Sequence, residues 1–201
     1  LHLCDRRQRQ MCIRDRVFDA ATGTITGYTG YSTRLDIPET IDGVQVTAVG
    51  DQAFKGNLFL SYLTLPEGLT SIGNEAFMDV STLLHVEFPS TLKTISDRAF
   101  CHSYRGAIME LPEGLESIGA EAFVYAGVQG ALYLPEGLKT IGDSAFLKCW
   151  AQELYVPSSV EKIGSLAFSD SSSLTYLVFD FYELIDIAPD AFSECPVAEL
   201  D

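Results

Sequence analysis

Residues 111–123 read LPEGLESIGAEAF, and this stretch recurs with small changes from one end of the chain to the other. Its closing Ala-Phe pair is the easiest part to follow. The steps between successive copies of the Phe are 23, 23, 23, 23, 22 and 24 residues, at Phe54, Phe77, Phe100, Phe123, Phe146, Phe168 and Phe192. A fixed period in the twenties is typical of solenoids, whose units bury one face only by stacking on neighbours. The sequence therefore predicts a repeat architecture.

Each repeat places its apolar residues at fixed distances from a proline. Around Pro112 these residues are Met109 and Leu111 on one side and Leu115 and Ile118 on the other. Met109 and Leu111 are two residues apart, so they share one face of a strand. Pro112 ends that strand because it has no N–H to donate. Equivalent positions should stack about 4.8 Å apart, so that seven coils make a rod roughly 30–35 Å long.

The combined pattern, (L/V)-x-(L/V/F)-P-x-x-(L/V)-x-x-I-G-x-x-A-F, resembles the BspA-type leucine-rich repeat of bacterial surface proteins. Leu35 to Phe192 carries this pattern, and Ile37–Gly50 is similar to the longer first repeat of that family. The commoner leucine-rich repeats have Asn where this chain has Pro after the strand. The departures are local: Asp180 replaces a proline, the last coil gains one residue, and Ser96 and Ala188 replace the turn glycine. The resemblance implies a right-handed, β-rich solenoid of short parallel strands with little helix.

The composition fits one sizeable core and an acidic surface. The chain has 201 residues, of which 47% are apolar, and a net charge of −15. Because like charges repel, the acidic balance argues against binding to DNA, RNA or an anionic membrane. There is no run of 18 apolar residues, so no membrane-spanning segment is predicted.

Three regions follow from the pattern. Residues 1–16 hold five Arg and two Cys and match no repeat position; we interpret them as a non-native tail, with a basic nucleic-acid-binding arm as the alternative. Without their five Arg and two Asp, 8 basic and 26 acidic residues remain, a net charge of −18. Residues 17–34 predict a strand or hairpin that caps the first coil, and residues 35–201 form the solenoid. Cys195–Asp201 starts another strand-like segment, so we expect a C-terminally truncated piece of a longer protein.

The sequence does not contain the motifs that mark catalysis. It has no hydrolase elbow, no P-loop and no dinucleotide fingerprint, and the glycines that recur with the repeat indicate turns. We therefore expect no enzymatic activity, no cofactor and no metal site. Cys149 and Cys195 lie three residues after the Phe, where other repeats have Val80, Ser103, Ala126 and Ser171. This favours packing of a small buried side chain over a disulfide or a metal. A calcium site at Asp170 lacks any known ligand spacing.

The outward positions of the strands before each proline carry the candidate partner-binding residues. Two residues before the proline stand Thr64, Glu87, Glu110, Tyr133, Tyr155 and Val178; four before it stand Tyr62, His85, Ile108, Ala131, Glu153 and Tyr176. From these positions we select Tyr62, Tyr133, Tyr155 and Tyr176, with Glu87, Glu110 and Glu153. Tyrosine is a preferred interface residue because it joins a rigid apolar body to a polar tip. The alternative is that aromatic residues are favoured on half-exposed strands.

The resemblance implies a non-catalytic binding or adhesion module, located on the cell surface or secreted, although this stretch contains no signal peptide. The expected partner is a protein of a host or neighbouring cell. Two other functions stay open at this point: a structural spacer for a different domain, and an accessory module of a larger protein that binds polysaccharide through the tyrosines.

Overall fold

The computed structural model describes residues 15–105, 109–180 and 186–197. Most of the predicted tail, Ile108 and the end of the C-terminal segment lie outside these residues. The described part is a β-solenoid of about seven turns without a helix, as the repeat predicts. Its strands are β1 (Arg16–Asp19), β2 (Thr24–Tyr28), β3 (Arg34–Asp36), β4 (Thr40–Ile41), β5 (Val44–Gln45), β6 (Ala48–Val49), β7 (Tyr62–Thr64), β8 (Ser71–Ile72), β9 (His85–Glu87), β10 (Thr94–Ile95), β11 (Ser117–Ile118), β12 (Ala131–Tyr133), β13 (Thr140–Ile141), β14 (Glu153–Val156), β15 (Lys162–Ile163), β16 (Tyr176–Phe179) and β17 (Asp186–Ile187).

Two sets of parallel strands run along the rod. The longer set is a nine-stranded sheet in the order β1-β2-β6-β8-β10-β11-β13-β15-β17, parallel throughout except at the β1–β2 hairpin. The shorter set contains the strands before each proline and consists of two three-stranded sheets, β3-β7-β9 and β12-β14-β16. β4 and β5 form a small antiparallel hairpin within the longer first repeat. The strands before each proline are therefore aligned in register but divided into two groups.

The core of the rod is a continuous stack of phenylalanines. Neighbouring rings of the seven repeat Phe residues lie 4.8 to 5.3 Å apart with interplanar angles of 1 to 14°. From Phe54 to Phe168 these side chains are buried, and so is the Ala before each of them. Burying one such ring contributes about 1.5–3 kcal/mol. Each period of the sequence therefore adds one ring to this stack.

The turns on either side of each Phe use left-handed backbone conformations. Positive φ values of 54–60° recur two residues before and two residues after the Phe, mostly at residues other than Gly: Gln52, Glu75, Asp79, Arg98, His102, Glu121, Tyr125, Ser144, Lys148, Leu166, Asp170 and Glu194. These turns let the N–H of one Phe bond to the carbonyl oxygen of the next coil, as from Phe54 to Ala76 at 2.7 Å. Each left-handed residue other than Gly, Asn or Asp costs about 1–2 kcal/mol.

The N-terminal hairpin includes a residue that the sequence analysis assigned to the tail. Arg16 starts β1, its side chain is buried, and its Nη2 donates to the carbonyl oxygen of Asp36 at 2.9 Å. The Asp15 carbonyl oxygen accepts a hydrogen bond from the N–H of Thr29 at 2.6 Å. Asp15 and Arg16 thus contact the residues that follow the tail, since an arginine can be buried where a backbone carbonyl meets its guanidinium. β2 pairs in parallel with β6 and joins the hairpin to the first coil.

Candidate binding surface

The short strands place their outward side chains in two rows. We call row A the first outward position of each strand: Arg34, Tyr62, His85, Ala131, Glu153 and Tyr176. Row B is the second outward position: Asp36, Thr64, Glu87, Tyr133, Tyr155 and Val178. Six of the seven residues selected from the sequence lie in these rows. Tyr62 and Glu87 belong to the N-terminal sheet, and Tyr133, Glu153, Tyr155 and Tyr176 belong to the C-terminal sheet.

In the N-terminal sheet each selected residue contacts a side chain of a neighbouring row position. The guanidinium carbon of Arg34 lies 5.7 Å from the centre of the Tyr62 ring, and the His85 ring lies 6.5 Å away on the next strand. Glu87 accepts a hydrogen bond from Thr64 Oγ1 at 3.1 Å, and its other carboxylate oxygen lies 3.6 Å from His85 Nε2. Tyr62 and Glu87 therefore both contact other side chains of the same sheet.

In the C-terminal sheet the three tyrosines form one group. The rings of Tyr133 and Tyr155 stack with their centres 4.5 Å apart and their planes at 14°, while Tyr176 meets Tyr155 at 6.2 Å and 59°. The stacked rings face each other along the rod, so each ring covers one face of the other. Tyr133 is 61% exposed. We call Tyr133, Tyr155 and Tyr176 the tyrosine group.

Glu153 fixes the orientation of the central tyrosine. The hydroxyl of Tyr155 donates to Glu153 Oε2 at 2.8 Å. This hydrogen bond stabilises the neutral phenol, and with partial desolvation and the carboxylate charge it raises the pKa of Tyr155 to about 12. A fixed ring loses little conformational entropy on binding, which is the property expected of an interface anchor.

Glu110, the seventh selected residue, was expected at an outward strand position but does not lie on a strand. Neither Met109 nor Glu110 is in a strand. The N–H of Leu65 and that of Leu134 each bond to the next coil, to Glu87 and Tyr155 respectively. The equivalent bonds from Phe88 to Glu110 and from Leu111 to Tyr133 do not form. This interruption is what divides the short strands into two sheets.

The segment that follows Phe100 differs from its counterparts in what it buries. Three counterparts bury a leucine six residues after the Phe, at Leu60, Leu83 and Leu174, whereas Tyr104 is buried four residues after Phe100. Burial and then the charge of Glu110 raise the pKa of Tyr104. Glu110 itself lies in a groove of about 460 Å³, lined by His85, Val86, Glu87, Phe88, Glu110, Leu111, Pro112 and Glu113.

Arg34 is the residue of this surface that the sequence analysis missed. It lies four residues before Pro38, so the same frame that selected Tyr62 would have found it. Its guanidinium lies 3.9 Å from the Asp36 carboxylate and covers the Tyr62 ring.

The cysteines lie where small side chains pack. Cys101 and Cys149 are buried, and burial raises the pKa of each thiol to about 11. Cys195 is half-buried, and its Sγ donates to the carbonyl oxygen of Phe168 at 3.0 Å. Within the described ranges no three His, Cys, Asp or Glu residues are arranged to hold a metal ion. A helix long and apolar enough to cross a membrane is likewise not found in that part of the chain.

Comparison with solved structures shows the same architecture in bacterial proteins. The leucine-rich repeat protein TpLRR of T. pallidum is 26% identical with a TM-score of 0.78, covering 86% of this chain and 81% of its own. A leucine-rich repeat protein of Bacteroides ovatus is 28% identical with a TM-score of 0.70, covering 81% of this chain. A leucine rich cell surface protein of Faecalibacterium prausnitzii is 26% identical with a TM-score of 0.60, covering 82% of this chain.

The chain spans 44% of the Bacteroides protein and 52% of the Faecalibacterium protein. No curated protein sequence gives a significant match. The family profile described as BspA type leucine rich repeat region, with six copies, matches residues 47–175 and 107–201. Together these matches cover more than half of the chain and include the repeats that form the phenylalanine stack. This chain therefore belongs to the BspA-type leucine-rich repeat family.

Proposed function

We propose that this chain is a non-catalytic binding module, carried on the bacterial cell surface or released from it, that recognises another protein through its short strands. The expected partner is a surface protein of a host or a neighbouring cell. The observation that carries the proposal is the tyrosine group, in which Tyr133 and Tyr155 stack and Glu153 holds the Tyr155 hydroxyl. Exposed, preoriented aromatic rings are typical anchors of protein interfaces.

Three further features support a protein partner. The rod offers a long surface of aligned strands, which suits extended partners. One solved relative is described as a cell surface protein. The tyrosine group joins apolar ring surface to polar hydroxyl groups, a combination that suits the mixed surface of a protein partner.

The experiment compares the intact chain with the double variant Tyr133→Ala/Tyr155→Ala. Each protein is immobilised and exposed to solubilised surface proteins, and any protein that the intact chain retains is purified and titrated by calorimetry. Since a hot-spot pair is worth at least about 2 kcal/mol, the double variant should bind about 30-fold more weakly. Both proteins should show the same circular dichroism spectrum, because Tyr133 is exposed and the half-buried Tyr155 lies outside the phenylalanine core.

Tyr125→Ala is the matched control. Tyr125 is also an exposed tyrosine, but it lies on a left-handed turn next to Lys148 and not on the short strands. Its removal should leave the affinity unchanged. Equal affinity of the intact chain and the double variant would refute the strand face as the binding surface. Retention of polysaccharide but no protein would favour the accessory-module function, and retention of neither would favour the spacer.

A further inference from the structure

The groove that contains Glu110 runs along the free edge of β9. β9 pairs with β7 and is the last strand of the N-terminal short sheet. The backbone groups of His85 and Glu87 bond to β7 and to the residues that flank it. Because successive residues of a parallel strand direct their backbone groups to opposite sides, those of Val86 and Phe88 point toward the following coil. The groove lies on that side, since its other wall comes from the following coil.

Two backbone groups at this edge have no hydrogen-bond partner among the described residues. They are the carbonyl oxygen of Val86 and the N–H of Phe88. One coil earlier the N–H of Leu65 bonds to the carbonyl oxygen of Glu87, whereas the equivalent bond from Phe88 to Glu110 does not form. A strand edge with unpaired groups is a template on which another chain can pair. The groove therefore offers the backbone of β9 to an incoming segment.

The lining of the groove combines apolar surface with negative charge. It contains three glutamates and no lysine or arginine. Glu110 and Glu113 are exposed, and neither forms an ion pair within the described part of the chain. The single histidine, His85, lies 3.6 Å from the carboxylate of Glu87. The apolar part of the lining consists of three half-buried residues, Phe88, Leu111 and Pro112.

We propose that this groove binds an extended, basic peptide segment of the protein partner as an added strand on β9. The backbone of the segment donates to the carbonyl oxygen of Val86 and accepts from the N–H of Phe88, as in other cases of strand addition. Alternate side chains of a strand point to opposite sides, so one set packs on the apolar lining while Lys or Arg of the other set faces Glu110 and Glu113. This inference rests on the proposed function, because β9 is one of the short strands, but it uses no residue of the tyrosine group.

The test uses the intact, isotope-labelled chain and the peptide probe acetyl-Val-Lys-Val-Lys-Val-amide. NMR follows the amide resonance of Phe88 as the probe is added. We expect its proton to move downfield, because the N–H gains a hydrogen bond. An analogue with N-methylated central amides cannot donate to Val86 and should bind at least about fivefold more weakly. The analogue acetyl-Val-Glu-Val-Glu-Val-amide should give no shift, because its charges repel the glutamates of the groove.

Glu113→Lys and Glu136→Lys form a matched pair. Both residues are exposed and directly follow the proline of consecutive repeats, but only Glu113 lines the groove. Glu113→Lys should weaken binding of the lysine probe at least about fivefold, since an attraction is replaced by a repulsion. Glu136→Lys changes the net charge equally and should leave binding nearly unchanged.

An unmoved Phe88 resonance, equal binding of the N-methylated probe, or equal effects of the two lysine variants would overturn the inference. If the lysine probe fails while the tyrosine double variant still loses its protein partner, the inference falls and the proposed function stands. If that partner binds the double variant normally, the proposed function itself falls.

Discussion

Ser103 and Ser171 occupy the same position of the repeat, three coils apart, yet only the hydroxyl of Ser103 has hydrogen-bond partners. Both side chains are buried. Ser103 Oγ donates to the carbonyl oxygen of Phe77 and accepts from the N–H of Val80 at 3.0 Å. Ser171 Oγ has no partner among the described residues. A buried hydroxyl without a partner retains its desolvation cost, so the two serines should respond to mutation in opposite directions.

Ser171→Ala should raise the free energy of unfolding by about 1 kcal/mol, because it removes an unpaired buried hydroxyl. Ala126 shows that alanine fits this position of the coil. Ser103→Ala should instead lower the free energy of unfolding by about 1–3 kcal/mol, since it leaves the Phe77 carbonyl and the Val80 N–H without this partner. Urea denaturation of the two variants measures both changes. A loss of stability in Ser171→Ala would show that its hydroxyl is hydrogen-bonded in solution.

Phe123→Ala should destabilise the rod by about 3–5 kcal/mol, as truncation of a buried Phe generally does. The ring of Phe123 stacks on Phe100 at 5.3 Å and on Phe146 at 5.2 Å, so a cavity would open between two coils. Phe192→Ala is the matched control, because Phe192 is only partly buried and stacks on Phe168 alone within the repeat positions. Its cost should be about half as large. A shift of the Phe123→Ala melting temperature no greater than that of Phe192→Ala would contradict this account.

The phenylalanine stack could be predicted from the sequence because it depends on a single spacing that recurs seven times. The same holds for the contact between Tyr133 and Tyr155, which follows from their identical position in consecutive repeats. The interruption at Glu110 could not be predicted in this way. Met109 and Glu110 fit the strand pattern of the repeat as well as their counterparts do, so the pattern gives no sign that they form no strand. Arg34 was missed for another reason. A repeat pattern reveals contacts between like residues, whereas Arg34 and Tyr62 are unlike residues on neighbouring strands.

Glu194→Asn should raise the free energy of unfolding by about 1 kcal/mol, because Glu194 has a φ of 58° and asparagine tolerates the left-handed conformation better. Glu194 is exposed, so no apolar burial is lost with the substitution. The control is Glu194→Val, whose β-branched side chain is least compatible with positive φ and should lower the stability. Urea midpoints should rank Asn above Glu and Glu above Val, and any other order would argue against strain at this turn.

The phenol of Tyr155 should ionise at about pH 12 in the folded protein, because it donates a hydrogen bond to Glu153. In the unfolded chain a tyrosine ionises near pH 10, so the folded state binds more protons between about pH 10 and pH 12. The stabilisation from this group is therefore complete below pH 10 and is lost as the pH rises toward 12. Difference absorbance titration against Tyr155→Phe measures the pKa. Glu153→Gln should bring the pKa of Tyr155 down, and an unchanged value would show that the hydrogen bond is absent.

Two truncations that differ by only two residues test where the N-terminal tail ends. Removal of residues 1–14 should leave the melting temperature unchanged, because those residues match no repeat position. Removal of residues 1–16 also deletes the Asp15 carbonyl that accepts from Thr29 and the Arg16 guanidinium that donates to Asp36. It should therefore cost about 1–3 kcal/mol, since buried hydrogen-bonding groups lose their partners. Arg16→Met removes the guanidinium but keeps the backbone pairing of residue 16 with Tyr28. This variant should therefore lose only part of that stability. Equal melting temperatures for both truncations would extend the dispensable tail through Arg16, whereas a large loss on removing residues 1–14 would make the tail part of the cap.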